Sequence, residues 1–176
     1  MKDDKLDALD ALEVLAARRV RFVIIGGVAA NAWGAPLITY DLDVCYARDP
    51  ENLERMVRAL KDIHARLRGA PGDVPFILDA KTLKMGGNFT FVTDAGSLDI
   101  LAFPAGAPGG YEELAPAAET MNFSGFSAKV ASLDDLIKMK ESAGRSKDLR
   151  AVEELAALRD EIDAQAAEER KKRRKG

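Results

Sequence analysis

Apolar residues recur at helical spacing at Leu6, Leu9, Leu12, Val14, Leu15 and Ala16, which predicts an amphipathic opening helix over residues 3–18. The apolar stretch that begins at Phe22 reads as a strand over residues 21–25, and Gly26-Gly27 as a turn into a helix over residues 28–33. Gly34 and Pro36 end that helix, because glycine suits the left-handed cap and proline cannot continue it. Apolar and acidic residues then alternate over residues 41–46, the pattern of a half-buried strand. Asp49-Pro50 reads as an N-cap with proline at the first helical position. Leu53, Met56, Val57, Leu60, Ile63, His64 and Leu67 mark one face of a long helix reaching residue 68.

Past a Gly/Pro loop at residues 69–72, the pattern shortens to extended runs at 76–78, 82–85, 88–93 and 97–103. Residues 94–96 form a hairpin turn between the last two. A loop over 104–110, a helical piece at 111–114 and strands near 118–121 and 126–130 lead to Ser132, which caps a helix over 133–142. A second helix follows over 147–158. Several strands stand too close together for helical crossovers, so the fold class is α/β (α+β), with a mixed, antiparallel-rich sheet flanked by helices and closed by C-terminal helices. One domain spans residues 1–160, and residues 161–176 form a charged, disordered tail.

Composition narrows the chemistry. A net charge of −3 gives no global footprint for nucleic acid. The lone Cys45 excludes an internal disulfide and a cysteine-rich zinc site, and the single His64 lies in a charged stretch with no nucleophile motif nearby. No apolar run is long enough to span a membrane, and the polar start of the chain is unlike a signal peptide, so a cytoplasmic protein is expected. Lys171, Lys172, Arg173, Arg174 and Lys175 read either as a solvated end or as a non-specific contact to RNA or phosphate.

The candidate chemistry lies in Asp41, Asp43 and Asp99. Side chains two apart on a strand share a face, so Asp41 and Asp43 stand side by side, a costly arrangement unless a cation shares the charge. Leu42 and Val44 face the core, which turns the acids toward a cleft; Leu98 and Ile100 do the same for Asp99. The helix after Gly26-Gly27 offers free N–H groups and a partial positive charge suited to phosphate. No Gly-Lys-Ser/Thr follows, so this is not a P-loop. A glycine turn feeding a helix, an Asp-x-Asp strand and a distant Asp is the set that metal-dependent nucleotide transfer needs.

The apolar strand, Gly26-Gly27, the short helix, Asp41-Leu42-Asp43 and the later Asp99 resemble the polymerase-beta-like nucleotidyltransferase superfamily. The fuller run from Ile25 through Asn31, Trp33 and Thr39 looks most like the abortive-infection toxin branch, and aminoglycoside nucleotidyltransferases share a similar opening. The C-terminal stretch with Lys140, Arg145, Lys147 and Asp148 is similar to that branch's Lys…Arg-x-Lys-Asp segment. Gly27 stands where many relatives have serine, and Tyr40 where many have a basic residue.

The resemblance implies transfer of a nucleoside monophosphate from an NTP, with Asp41, Asp43 and Asp99 holding two Mg²⁺ ions (or Mn²⁺) and Asp99 as general base. It implies Gly26 and Gly27 as the phosphate cradle, Lys140 as a phosphate partner and Asp148 as a further site residue. The implied acceptor is an RNA or tRNA end in a toxin–antitoxin setting, with a cognate antitoxin protein as partner. A small molecule such as an aminoglycoside, or a protein side chain, is the alternative acceptor. Drug-modifying enzymes are expected to carry a larger C-terminal region than this chain has after Asp99. A non-catalytic nucleotide- or partner-binding module is the rival from another class, and it has no need of all three acids.

Overall fold

The computed structural model describes residues 8–70, 75–144 and 146–174, without the side chains of Ser146 and Lys147. Leu6 in the expected opening helix, together with Arg145, the Lys147 side chain and Lys175, lies outside the described residues. The elements, in chain order, are α1 (Ala8–Ala17), β1 (Phe22–Ile25), α2 (Gly26–Trp33), β2 (Asp41–Tyr46), α3 (Pro50–Asp62), β3 (Arg66–Leu67), α4 (Ala80–Met85), β4 (Asn88–Thr93), β5 (Gly96–Leu101), α5 (Tyr111–Leu114), β6 (Glu119–Phe123), β7 (Phe126–Val130), α6 (Leu133–Ala143) and α7 (Ser146–Arg173).

Seven strands form one sheet in the order β3-β4-β5-β2-β1-β7-β6. The β2–β5 and β1–β7 pairs are parallel, and the remaining neighbours are antiparallel. The expected mixed, antiparallel-rich sheet with C-terminal helices is what the chain forms. Its centre is closed to solvent: Val23, Ile24, Leu42, Val44, Phe91 and Ile100 are fully buried. Burying such side chains stabilises by about 1.5–3 kcal/mol each, and this sets the strand register.

Local chemistry explains the elements that position the site. Asp49 accepts a hydrogen bond from the Asn52 N–H, and Pro50 supplies a preset φ, so α3 begins where the sequence places it. It stops at Asp62, short of residue 68. His64 takes a left-handed φ of 50°, the backbone reverses, and Arg66 pairs with Val92 at the sheet edge. The apolar spacing of Ile63 and Leu67 continues through the reversal, which is why periodicity alone overruns it.

Residues 82–85, expected as extended, are helical in α4, because the Asp79 side chain accepts from the Thr82 N–H at 2.7 Å. Residues 76–78 form no regular strand; Phe76 instead packs its ring near Phe89 and Phe91. The β4–β5 hairpin turns through Asp94-Ala95, with Gly96 at φ 99°.

Ser132 caps α6 as expected. Helix α7 runs to Arg173, past the expected end near residue 158. Apolar periodicity fades there, yet the stretch is rich in strong helix formers and contains neither glycine nor proline. Among the described residues, no helix is long and apolar enough to cross a membrane.

Candidate active site

Strand β1 hands directly into α2, whose N-cap is Ile25 with no side-chain hydrogen bond to the first turn. Gly26 has φ 66°, a conformation that L side chains rarely adopt. A Cβ there would overlap Asp43 Oδ2, so glycine lets the backbone lie against that carboxylate. A Cβ at Gly27 would stand 2.6 Å from Thr39 Cβ. Thr39 in turn donates from Oγ1 to the Asp41 carbonyl at 3.0 Å. The diglycine is therefore a close-packing device between the helix start and the acid strand. At the far end of α2, Gly34 closes the helix at φ 104° and Trp33 Nε1 donates to Ala131 O at 2.8 Å, tying α2 to the residue before the α6 cap.

The parallel β2–β5 register sets Asp43 directly beside Asp99 and Asp41 beside Ser97. Leu42, Val44, Leu98 and Ile100 are buried while the three acids are not, so the alternation read from the sequence holds. Burial, then the charges of Asp99 and Asp41, push the Asp43 carboxyl up to about 7, and Lys140 and Arg68 pull it back. Burial also raises Asp99, partly offset by Arg68.

Arg68, just past β3, was not singled out by sequence. Its Nη1 donates to Asp41 Oδ1 at 3.0 Å, and its Nη2 to Asp99 Oδ1 at 2.8 Å and Oδ2 at 3.1 Å. Its position depends on the reversal at His64 and on the main-chain bond from Arg68 N to Thr90 O, neither of which carries a sequence signal. Among the described residues, no three carboxylate, imidazole or thiol groups are gathered into a ready-made metal cage. The acids instead share a guanidinium.

Lys140, in the last turn of α6, donates to Asp148 Oδ1 on α7 at 3.4 Å. Asp148 is only 6 % exposed, so the pair joins the two helices from within. The charge of Lys140 reaches Asp43. Lys138 points elsewhere and donates to Glu113 at 2.8 Å. Of the residues expected at the site, Asp41, Asp43, Asp99, Gly26 and Gly27 converge directly. Lys140 is coupled to them through its charge, and Asp148 through Lys140.

No protein-family model matches the chain, and no curated protein matches its sequence. Its fold is nevertheless that of known nucleotidyltransferases. The lincosamide antibiotic adenylyltransferase LnuA, in its lincomycin-bound structure, superposes with a TM-score of 0.58 at 13% identity, over 90% of this chain and 98% of that one. The antibiotic-resistance factor ANT(2'')-Ia in solution gives 0.53 at 12% identity, over 96% of each chain. A crystal structure of ANT(2'')-Ia with adenylyl-2''-tobramycin gives 0.50 at 13% identity.

Proposed function

We propose that the chain transfers a nucleoside monophosphate from an NTP to an acceptor hydroxyl, and that Asp41, Asp43 and Asp99 carry the reaction. The observation that supports this reading is register: Asp43 and Asp99 stand level across β2–β5 with Asp41 on the same strand face, against a helix start opened by Gly26 and Gly27. Arg68 bonds only Asp41 and Asp99 of the three carboxylates, one cation for two acids, and oxygen donors suit Mg²⁺ or Mn²⁺. Asp41, Asp43 and Asp99 would hold the ions. When bound, Mg²⁺ would neutralise charge on the phosphoryl oxygens and support the leaving pyrophosphate.

The chain's own residues supply the rest. Burial and the neighbouring carboxylates push the Asp43 carboxyl up to about 7, and a bound cation would favour its ionised form. Asp99, with its pKa raised by burial, takes the proton of the acceptor hydroxyl as the acceptor oxygen bonds to the α-phosphorus and the α-phosphorus bond to pyrophosphate breaks. Backbone N–H groups at the start of α2 hold phosphate oxygens. Lys140, oriented by Asp148, balances triphosphate charge, a stabilisation that counts most in the transition state.

A small-molecule hydroxyl is the favoured acceptor. The chain is long enough for one, because it covers 98% of LnuA and 96% of ANT(2'')-Ia. An RNA end, with the toxin–antitoxin setting it implies, is the second reading. It is favoured by the basic outer turn of α7, where Arg170, Lys171, Lys172 and Arg173 follow one another. Incubation of α-labelled NTPs and Mg²⁺ with aminoglycosides, lincosamides, tRNA and protein separates the acceptors. Asp99→Asn is expected to bind nucleotide yet lose transfer. If Asp41→Ala and Asp43→Ala bind metal–NTP as tightly as the parent by calorimetry, the site is wrongly placed.

A further inference from the structure

The acid face already holds a cation, and it belongs to the chain. The Arg68 fork bonds carboxylates from two different strands, occupying Asp41 Oδ1 and both oxygens of Asp99. Asp41 and Asp99 are two of the three carboxylates that would hold a divalent ion at this face. Arg68 is also placed to leave. It follows a strand of only two residues at the sheet edge, Gly69 behind it has φ 74°, and its side chain is 35% exposed. A guanidinium that leaves two carboxylates loses its charge-assisted bonds unless another anion takes its donors, and phosphate matches the fork as well as carboxylate does.

We infer that Arg68 is a built-in competitor for the cation position, displaced by a metal–nucleotide complex rather than by the free ion. This rests on the cation-binding reading given above. A free ion must evict Arg68 into water. A metal–nucleotide complex brings the ion that replaces Arg68 together with the phosphate oxygens that receive it. Arg68 thereby keeps Asp41 and Asp99 paired in the resting protein and makes productive loading depend on the nucleotide.

Mn²⁺ binding to the full chain, followed by electron paramagnetic resonance, tests this without turnover. Affinities are measured for Mn²⁺ alone and for Mn²⁺ with a non-hydrolysable ATP analogue. Arg68→Gln is expected to bind free Mn²⁺ about two- to fivefold tighter than the parent, the scale of a lost ion pair at a partly exposed site. Its affinity for the Mn²⁺–analogue complex is expected to be no greater than the parent's, so the preference for the complex shrinks. Arg68→Lys, which keeps a charge but loses the fork, should fall between the two and serves if the glutamine variant misfolds. Equal free-ion affinity in parent and variants, or an equal gain for ion and complex, overturns the competition while leaving the cation site standing. Absence of Mn²⁺ binding in parent and variants alike removes the cation site, and the competition with it.

Discussion

Asp43 concentrates the electrostatic stress of the site in one carboxyl. Its pKa stands near 7 in the fold against an ordinary 3.8, so between those values the folded chain holds a proton that the unfolded chain has released. Stability from this group is therefore full below the ordinary carboxylate range and falls as pH rises toward 7. Without divalent ions, Asp43→Asn should flatten the fall in Tm between about pH 4 and about pH 7, and should stabilise the upper end by about 1–2 kcal/mol. Thermal melts in chelator, parent against variant, check this; a variant profile that parallels the parent's would remove Asp43 as the source. At this scale the sequence was informative where chemistry is local. Asp41, Asp43 and Asp99 announce themselves by alternating with buried Leu42, Val44, Leu98 and Ile100. Arg68 does not, because its partners lie 27 and 31 residues away.

Among the elements, α2 carries the tightest steric demands. Gly26→Ala forces a Cβ into a left-handed residue, at about 1–2 kcal/mol, and pushes that Cβ into the Asp43 carboxylate. Gly27→Val drives its side chain into Thr39 and so shifts the backbone that leads into β2. Both variants are expected to lower Tm and to weaken NTP binding together, as read by thermal shift and calorimetry. Unchanged nucleotide affinity in a folded Gly26→Ala protein would uncouple the glycine turn from the acids. Element ends were legible where a cap announces them, as at Asp49 and Ser132. The pattern misleads where a non-glycine residue reverses the backbone, as at His64, or where a cap stands between two apparently extended runs, as at Asp79.

For the molecule as a whole, charge is distributed unevenly: the net is −3, yet the outer end of α7 gathers Arg170, Lys171, Lys172 and Arg173. Those side chains are exposed, so truncation after Glu169 should leave Tm nearly unchanged. With RNA as acceptor, truncation should raise KM at low salt and the difference should fade as salt rises. With a small-molecule acceptor, KM should not move, and equal RNA binding by both forms at low ionic strength would retire the basic turn as a docking element. The sheet order has a kinetic consequence as well. Strand β2 meets β5 only after the whole stretch between Tyr46 and Gly96 has been looped out, and this pairing brings the like charges of Asp43 and Asp99 side by side. Such long-range pairing is entropically late in folding, and here repulsion opposes it too. The other parallel pair, β1 with β7, closes a longer loop still, so the face that carries Asp41, Asp43 and Asp99 is assembled by non-local closure rather than by the local β4–β5 hairpin.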